Sequence, residues 1–135
     1  MPEITLDELL QEVKAKEEKM GESPDVTAKI NLTATRLEQT ARSGSVKILT
    51  DYDADGICSA FIMQRTIQSI APDTHVEVQC NDRRGSYGVS SEIESDGVSK
   101  YIVLDMGSNQ LQQLQETLGD DVIIIDHHLI EEQIN

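Results

Sequence analysis

From Ser45 onward, short apolar runs alternate with stretches of helical spacing; before it, the chain reads as polar and charged, with its apolar residues at helical spacing. Thr5 followed by Glu8 has the spacing of a reciprocal helix cap, and Leu6, Leu9, Leu10 and Val13 then repeat as one helix face does, up to Gly21. A second helix is expected over about residues 25–42 on Val26, Ile30, Leu32 and Leu37, with Gly44 as its stop. Residues 46–49 (VKIL) read as a buried strand. Residues 57–70 read as helix through Ile57, Ala60, Phe61, Ile67 and Ile70. Residues 75–80 (HVEVQC) alternate as a strand with one wet face does. Residues 81–88 (NDRRGSYG) read as loop, with Ser90 placed to cap a short helix. Strand over 101–104, helix over 108–118 and strand over 121–125 complete the series. This order predicts an α/β fold: a parallel β-sheet of four to five strands with helices on both faces, preceded by one or two N-terminal helices. The expected division is a polar helical segment over 1–22 and an α/β domain over 23–135. Such a sheet would be expected to continue past Asn135, so the domain reads as cut short.

Length and composition narrow the function classes. A chain of 135 residues holds one domain with a real core, not two ordinary ones. Its four aromatic residues are Tyr52, Phe61, Tyr87 and Tyr101. Eleven basic against twenty-five acidic side chains give a net charge of −14, which repels phosphate backbones and excludes strong non-specific nucleic-acid binding by this chain alone. Cys58 and Cys80 lack any zinc-type spacing, so free thiols are expected, with Cys58 packed in a helix as a small apolar residue. No leader opens the chain and no apolar run approaches the ~18 residues of a membrane span, so a soluble, cytoplasmic protein without a membrane partner is expected. The N-terminal helices carry no recognisable chemistry and read as a packing surface or a protein-partner surface.

The chemistry-bearing residues follow the strands. The first apolar run leads into Asp51-Tyr52-Asp53-Ala54-Asp55-Gly56, the third into Asp105-Met106-Gly107 and the fourth into Asp126-His127-His128. A parallel sheet delivers every carboxyl end to one edge, so these residues are expected to converge. A single strand–Asp–helix junction is most often a helix cap, which accounts for Asp105 or Asp55 taken alone. It does not account for three aspartates at alternate positions, which repel unless a cation neutralises them, nor for two adjacent histidines. Hard oxygen donors with one or two imidazoles and no thiolate suit two Mn²⁺ or Mg²⁺ ions. Such a pair activates water and stabilises phosphoryl charge, so phosphate-ester hydrolysis is the natural reaction class.

DYDADGICSA at 51–60, LDMG at 104–107 and IDHH at 125–128 together resemble the DHH phosphoesterase superfamily. The first motif and Tyr87-Gly88-Val89 look most like its RecJ branch of single-strand-specific 5′ exonucleases, over about residues 30 to 135. The resemblance implies the N-terminal half of a DHH domain. It implies that Asp53 and Asp55 each bind a metal, that Asp105 bridges the two ions, that His127 is the imidazole ligand and that His128 contacts the scissile phosphate. It implies that Asp126 supports the histidines; Asp51 ligates or orients the loop. Gly56 is expected to open a helix whose amino end favours anions. Arg83 and Arg84 read either as a solvated turn or, with Tyr87 and Gly88, as substrate contacts, the arginines on phosphate and Tyr87 on a base. The family continues with a further Asp ligand, a linker helix and a second domain bearing a Gly-rich substrate-binding motif, none of it in these residues. Its pyrophosphatase branch carries a His where this chain has Leu49.

Three readings follow. The leading one is a Mn²⁺- or Mg²⁺-dependent, RecJ-like exonuclease acting on single-stranded DNA or oligonucleotides. A second keeps the metals but takes a small substrate: a short oligonucleotide, a cyclic dinucleotide or a nucleoside bisphosphate. A third is a catalytically incomplete domain that binds metal or a partner without turnover.

Overall fold

The computed structural model describes residues 5–21, 24–81, 88–90 and 92–128. It divides into two compact units, residues 1–35 and 36–135. In the first, α1 (Leu6–Gly21) opens on the cap expected from the sequence: Thr5 N–H donates to the Glu8 carboxylate and Glu8 N–H to the Thr5 hydroxyl, each at 3.2 Å. The pair satisfies donors that a helix start leaves open. Leu6 and Leu10 of α1 are exposed, as are Ile30 and Leu32 of α2 (Pro24–Ala41), so these four contribute little burial.

The second unit holds the end of α2 and then β1 (Ser45–Thr50), α3 (Ala54–Ile70), β2 (His75–Cys80), β3 (Lys100–Leu104), α4 (Leu111–Leu118) and β4 (Ile123–Ile125). All strand pairs are parallel, in the order β2-β1-β3-β4. The α/β architecture expected from the sequence is therefore present. Side chains alternate across the sheet with period two. Val46, Ile48, Ile102, Leu104 and Ile123 pack with α3 and with Leu37 and Ala41 of α2, while Leu49, Tyr101, Val103 and Ile124 pack with Leu114 and Leu118 of α4. The helices thus cover both faces.

Gly56 sets the rotation of α3. A Cβ there would lie 2.3 Å from the Asp51 carbonyl oxygen and 2.8 Å from the Thr50 hydroxyl, so only glycine can face the sheet so closely. Thr50 Oγ1 donates to the Gly56 carbonyl at 2.7 Å across this contact. The inward stripe is consequently Gly56, Ala60, Met63, Ile67 and Ile70. Ile57 and Phe61, expected on the apolar face, are 52% and 60% exposed. Cys58, expected as a packing residue, is exposed as well.

Other expectations give way to tertiary partners. β2 is an edge strand of which Val76 alone joins a core cluster, so its expected dry face is mostly wet. Ser90 accepts the Glu92 N–H at 3.2 Å, but no helix follows among the described residues; Ile93 turns instead into the α4-side core. β4 is shorter than the expected 121–125, and α4 begins at Leu111 rather than Ser108.

Beyond the amino end of β1, Asp96 organises the turn into β3. It accepts Ser99 N–H at 2.7 Å and Val98 N–H at 2.9 Å on one oxygen, and the Ser99 hydroxyl at 2.7 Å and Lys47 Nζ at 3.3 Å on the other. The Ser99 backbone and hydroxyl bonds, with the Val98 and Lys47 donors, hold its carboxyl well below the ordinary 3.8. A depressed folded-state pKa contributes stability above the unfolded value that is lost as pH falls through the folded one. Asp96→Asn is therefore expected to lower the melting temperature by a few degrees at pH 7. The gap to the parent chain, followed by circular dichroism across pH, should close progressively below about pH 4.

Candidate metal centre

In the order β2-β1-β3-β4 the connections leave β1 and β3 toward opposite sides, which opens a crevice beyond the carboxyl ends of these two strands. Strand register makes that crevice acidic. Thr50 pairs with Leu104 and Leu104 with Ile125, so the residues that follow, Asp51, Asp105 and Asp126, stand in a row across three strands. The ladder runs one step further, with Asp105 N–H donating to the Ile125 carbonyl and Asn81 N–H to the Thr50 carbonyl, both at 2.9 Å.

Each carboxylate is held differently. Asp51 is buried and accepts the Tyr52 N–H at 2.9 Å. Asp53 caps α3, accepting the Gly56 N–H at 2.8 Å. Asp55 lies in the first turn of α3, its carboxylate 3.9 Å from His127 Nε2. Asp105 is buried and has φ +61°, a left-handed backbone that Asp tolerates better than most residues. Its carboxylate lies 2.8 Å from His127 Nε2, and one of its oxygens comes within 4.8 Å of the Asp53 carboxylate.

Asp126 is tied down on both oxygens. Oδ2 accepts Ser108 N–H at 3.2 Å and the Ser108 hydroxyl at 2.7 Å; Oδ1 accepts His128 N–H at 3.2 Å and lies 2.5 Å from His128 Nδ1. The rings of His127 and His128 stand 4.5 Å apart between centroids, tilted by 38°.

These contacts separate the titrations. Burial raises the Asp105 carboxyl, and the adjacent Asp53 raises it further against the opposing effect of His127. The Gly56 N–H, followed by the neighbouring Asp105 carboxyl, holds Asp53 low. Burial alone would raise Asp126, but the donors from Ser108 and His128 outweigh it and bring that carboxyl to about 2. In return Asp126 raises His128.

Two sets of donors can each surround one cation: Asp51, Asp53 and Asp105, and Asp105, His127 and His128, with ligand atoms within 4.8 Å of one another in each. Asp105 belongs to both. Carboxylates this close persist only with a proton or a cation between them, and oxygen donors joined by imidazole fit a pair of hard divalent ions. A cavity of about 370 Å³ adjoins this cluster, bounded by Asp55, Cys58 and Ile62 of α3, by Ile125 and His127, and by Asp105.

The structure thus brings together Asp51, Asp53, Asp55, Asp105, Asp126, His127 and His128. Gly88 lies at the same sheet edge: its carbonyl accepts Asn81 Nδ2 at 2.7 Å, and its backbone abuts Gln110. Arg83, Arg84 and Tyr87 fall outside the described residues. Ser108 and Gln110 were not apparent from the sequence, where both read as the start of α4. Gln110 instead grips Val89, accepting its N–H at 2.9 Å and donating to its carbonyl at 2.8 Å.

Fold and crevice define a class, the open parallel α/β domain with an acid-and-imidazole site where its strand order reverses. More narrowly, this chain belongs to the DHH family: residues 45–135 match the family described as "DHH family, N-terminal domain". It is similar to the single-stranded-DNA-specific exonuclease RecJ of Bacillus subtilis, 31% identical over 102 residues, covering 70% of this chain and 13% of that protein. The RecJ protein of Thermus thermophilus is 31% identical over 101 residues, covering 70% of this chain and 15% of that protein. The matched stretch therefore spans a small fraction of these relatives' length. Among the described residues no helix is long and apolar enough to cross a membrane.

The close contact at Gly56 generates a prediction. Gly56→Ala would drive a methyl into the Asp51 carbonyl, a backbone group that cannot move alone. The expected loss is about 2 kcal/mol of folding stability, read from urea denaturation; an unchanged midpoint would show that the α3–β1 approach is looser than described.

Proposed function

We propose that this chain carries the metal-binding half of a DHH phosphodiesterase site, hydrolysing phosphodiesters of single-stranded DNA or oligonucleotides. One observation carries the reading: Asp105 stands in both candidate cation sites, between the Asp51–Asp53 side and the His127–His128 side. Asp53, Asp55, Asp105 and His127 would hold two Mn²⁺ or Mg²⁺ ions, with Asp51 as a further ligand or as the residue that orients the loop. Bound there, the ions would supply a readily ionised water and positive charge for the phosphoryl oxygens. His128, held by Asp126, faces the scissile phosphate. Arg83, Arg84, Tyr87 and Gly88 are the proposed substrate contacts; of these Gly88 is described, its carbonyl accepting Asn81 Nδ2 at 2.7 Å beside the acidic edge. The RecJ relatives, single-strand-specific by name, support the substrate class.

The net charge of −14 favours a second reading in which the substrate is small, such as a short oligonucleotide, a cyclic dinucleotide or a nucleoside bisphosphate. A panel spanning these and a long single strand separates the two, because a preference for the long strand excludes the small-substrate reading.

Asp105→Asn is the decisive variant, because Asn tolerates the left-handed backbone that Ala would not. Release of nucleotides from an end-labelled single strand with Mn²⁺ is expected to fall by at least about 10²-fold in this variant. Undiminished release would refute the assignment. Metal binding has its own readout: with Mn²⁺ at about 100 times its Kd, the parent chain should gain about 2.7 kcal/mol of stability, and Asp105→Asn should lose most of that gain.

A further inference from the structure

We infer that Ser108 is a positioning residue for His128, acting through Asp126. The inference rests on the phosphate-facing role given to His128 above. The Asp126 side chain is only 3% exposed, and four donors fill the acceptor positions of its two oxygens. The donors are split by element: Oδ2 belongs to Ser108, which follows β3, and Oδ1 to His128, which follows β4. The carboxylate is therefore a rigid brace between two strand ends. With Nδ1 directed at Asp126, Nε2 is the ring nitrogen that would meet a phosphoryl oxygen.

Local preference would have placed this hydroxyl elsewhere. Serine is a favoured helix cap, and the apolar spacing over 108–118 suggests a helix from Ser108. Instead α4 starts at Leu111, its N-cap is Gln110, and no side chain caps it. The Ser108 hydroxyl is engaged at 2.7 Å by Asp126. A departure from local preference beside a candidate site is the pattern expected where placement of a functional group outweighs helix capping.

Ser108→Ala removes the shorter of the two bonds to Oδ2 and leaves the 3.2 Å backbone bond, so Asp126 and the His128 ring gain freedom while Asp53, Asp55, Asp105 and His127, the ligands proposed above, keep their own contacts. Turnover of an oligonucleotide should fall about tenfold, within the range for groups that orient a site from behind, with KM and the Mn²⁺ concentration giving half-maximal rate little changed. Ser108→Thr, which keeps the hydroxyl, should rescue most of the rate.

A second readout needs no turnover. In the full chain with Mg²⁺, the His128 Nδ1 proton should give a low-field, exchange-protected NMR signal in the parent and in Ser108→Thr, and should broaden or vanish in Ser108→Ala. A folded Ser108→Ala chain that keeps the signal overturns the inference. Should the alanine chain fail to fold, the threonine chain decides: retention supports the brace, and loss of the signal from folded protein overturns it. Absence of hydrolysis in every chain would sink the phosphodiesterase reading but leave this NMR comparison standing.

Discussion

Crowding of negative charge at one sheet edge is the constraint from which the rest of this domain follows. Parallel pairing in register puts whatever follows Thr50, Leu104 and Ile125 side by side, about 4.8 Å from strand to strand, and in this chain all three residues are aspartates. Burial of Asp51 and Asp105, and of the Asp126 side chain, removes much of the water that would otherwise screen them. Each carboxylate must then find donors, a proton or a cation.

The local solutions differ, and the differences assign the work. Asp126 is saturated by four donors and stands in neither candidate cation site. Asp53 lowers its own cost by capping α3, which also fixes the start of that helix against Gly56. Asp105 has the least comfortable position: buried, in a left-handed backbone, pushed upward in pKa by burial and by Asp53, and steadied by His127. Strain of this kind persists only where the surroundings over-determine it, and here it marks the point shared by both candidate cation sites.

Much of this was legible in the sequence because it depends on periodicity and on neighbours along the chain. The Thr5–Glu8 cap, the Gly44 stop and the strands that precede Asp51, Asp105 and Asp126 are local signals. Convergence of the aspartates followed from parallel topology alone. What could not be read is what a distant partner decides. Ile57 and Phe61 fit a helical face, but Gly56 had to meet the sheet, and that rotated both outward. Ser108 and Gln110 look like the opening of α4 until Asp126 and Val89 claim their side chains. Ser90 has a cap's chemistry, yet among the described residues no helix follows it and Ile93 packs against the core.

The acidic balance bears on how such a site could attract its substrate. A surface with net charge −14 repels phosphates at a distance, and the carboxylate row adds to that repulsion where a phosphodiester must arrive. Two divalent cations held by Asp53, Asp55, Asp105 and His127 would offset most of the charge of the five carboxylates gathered there and offer phosphoryl oxygens a direct contact, while leaving the far field negative. Attraction then acts only within about a Debye length, some 8–10 Å at ordinary ionic strength, and only on the metal-loaded site. On that argument the same carboxylates that make the crevice costly to fold also keep it closed to phosphates until the ions that neutralise them are in place.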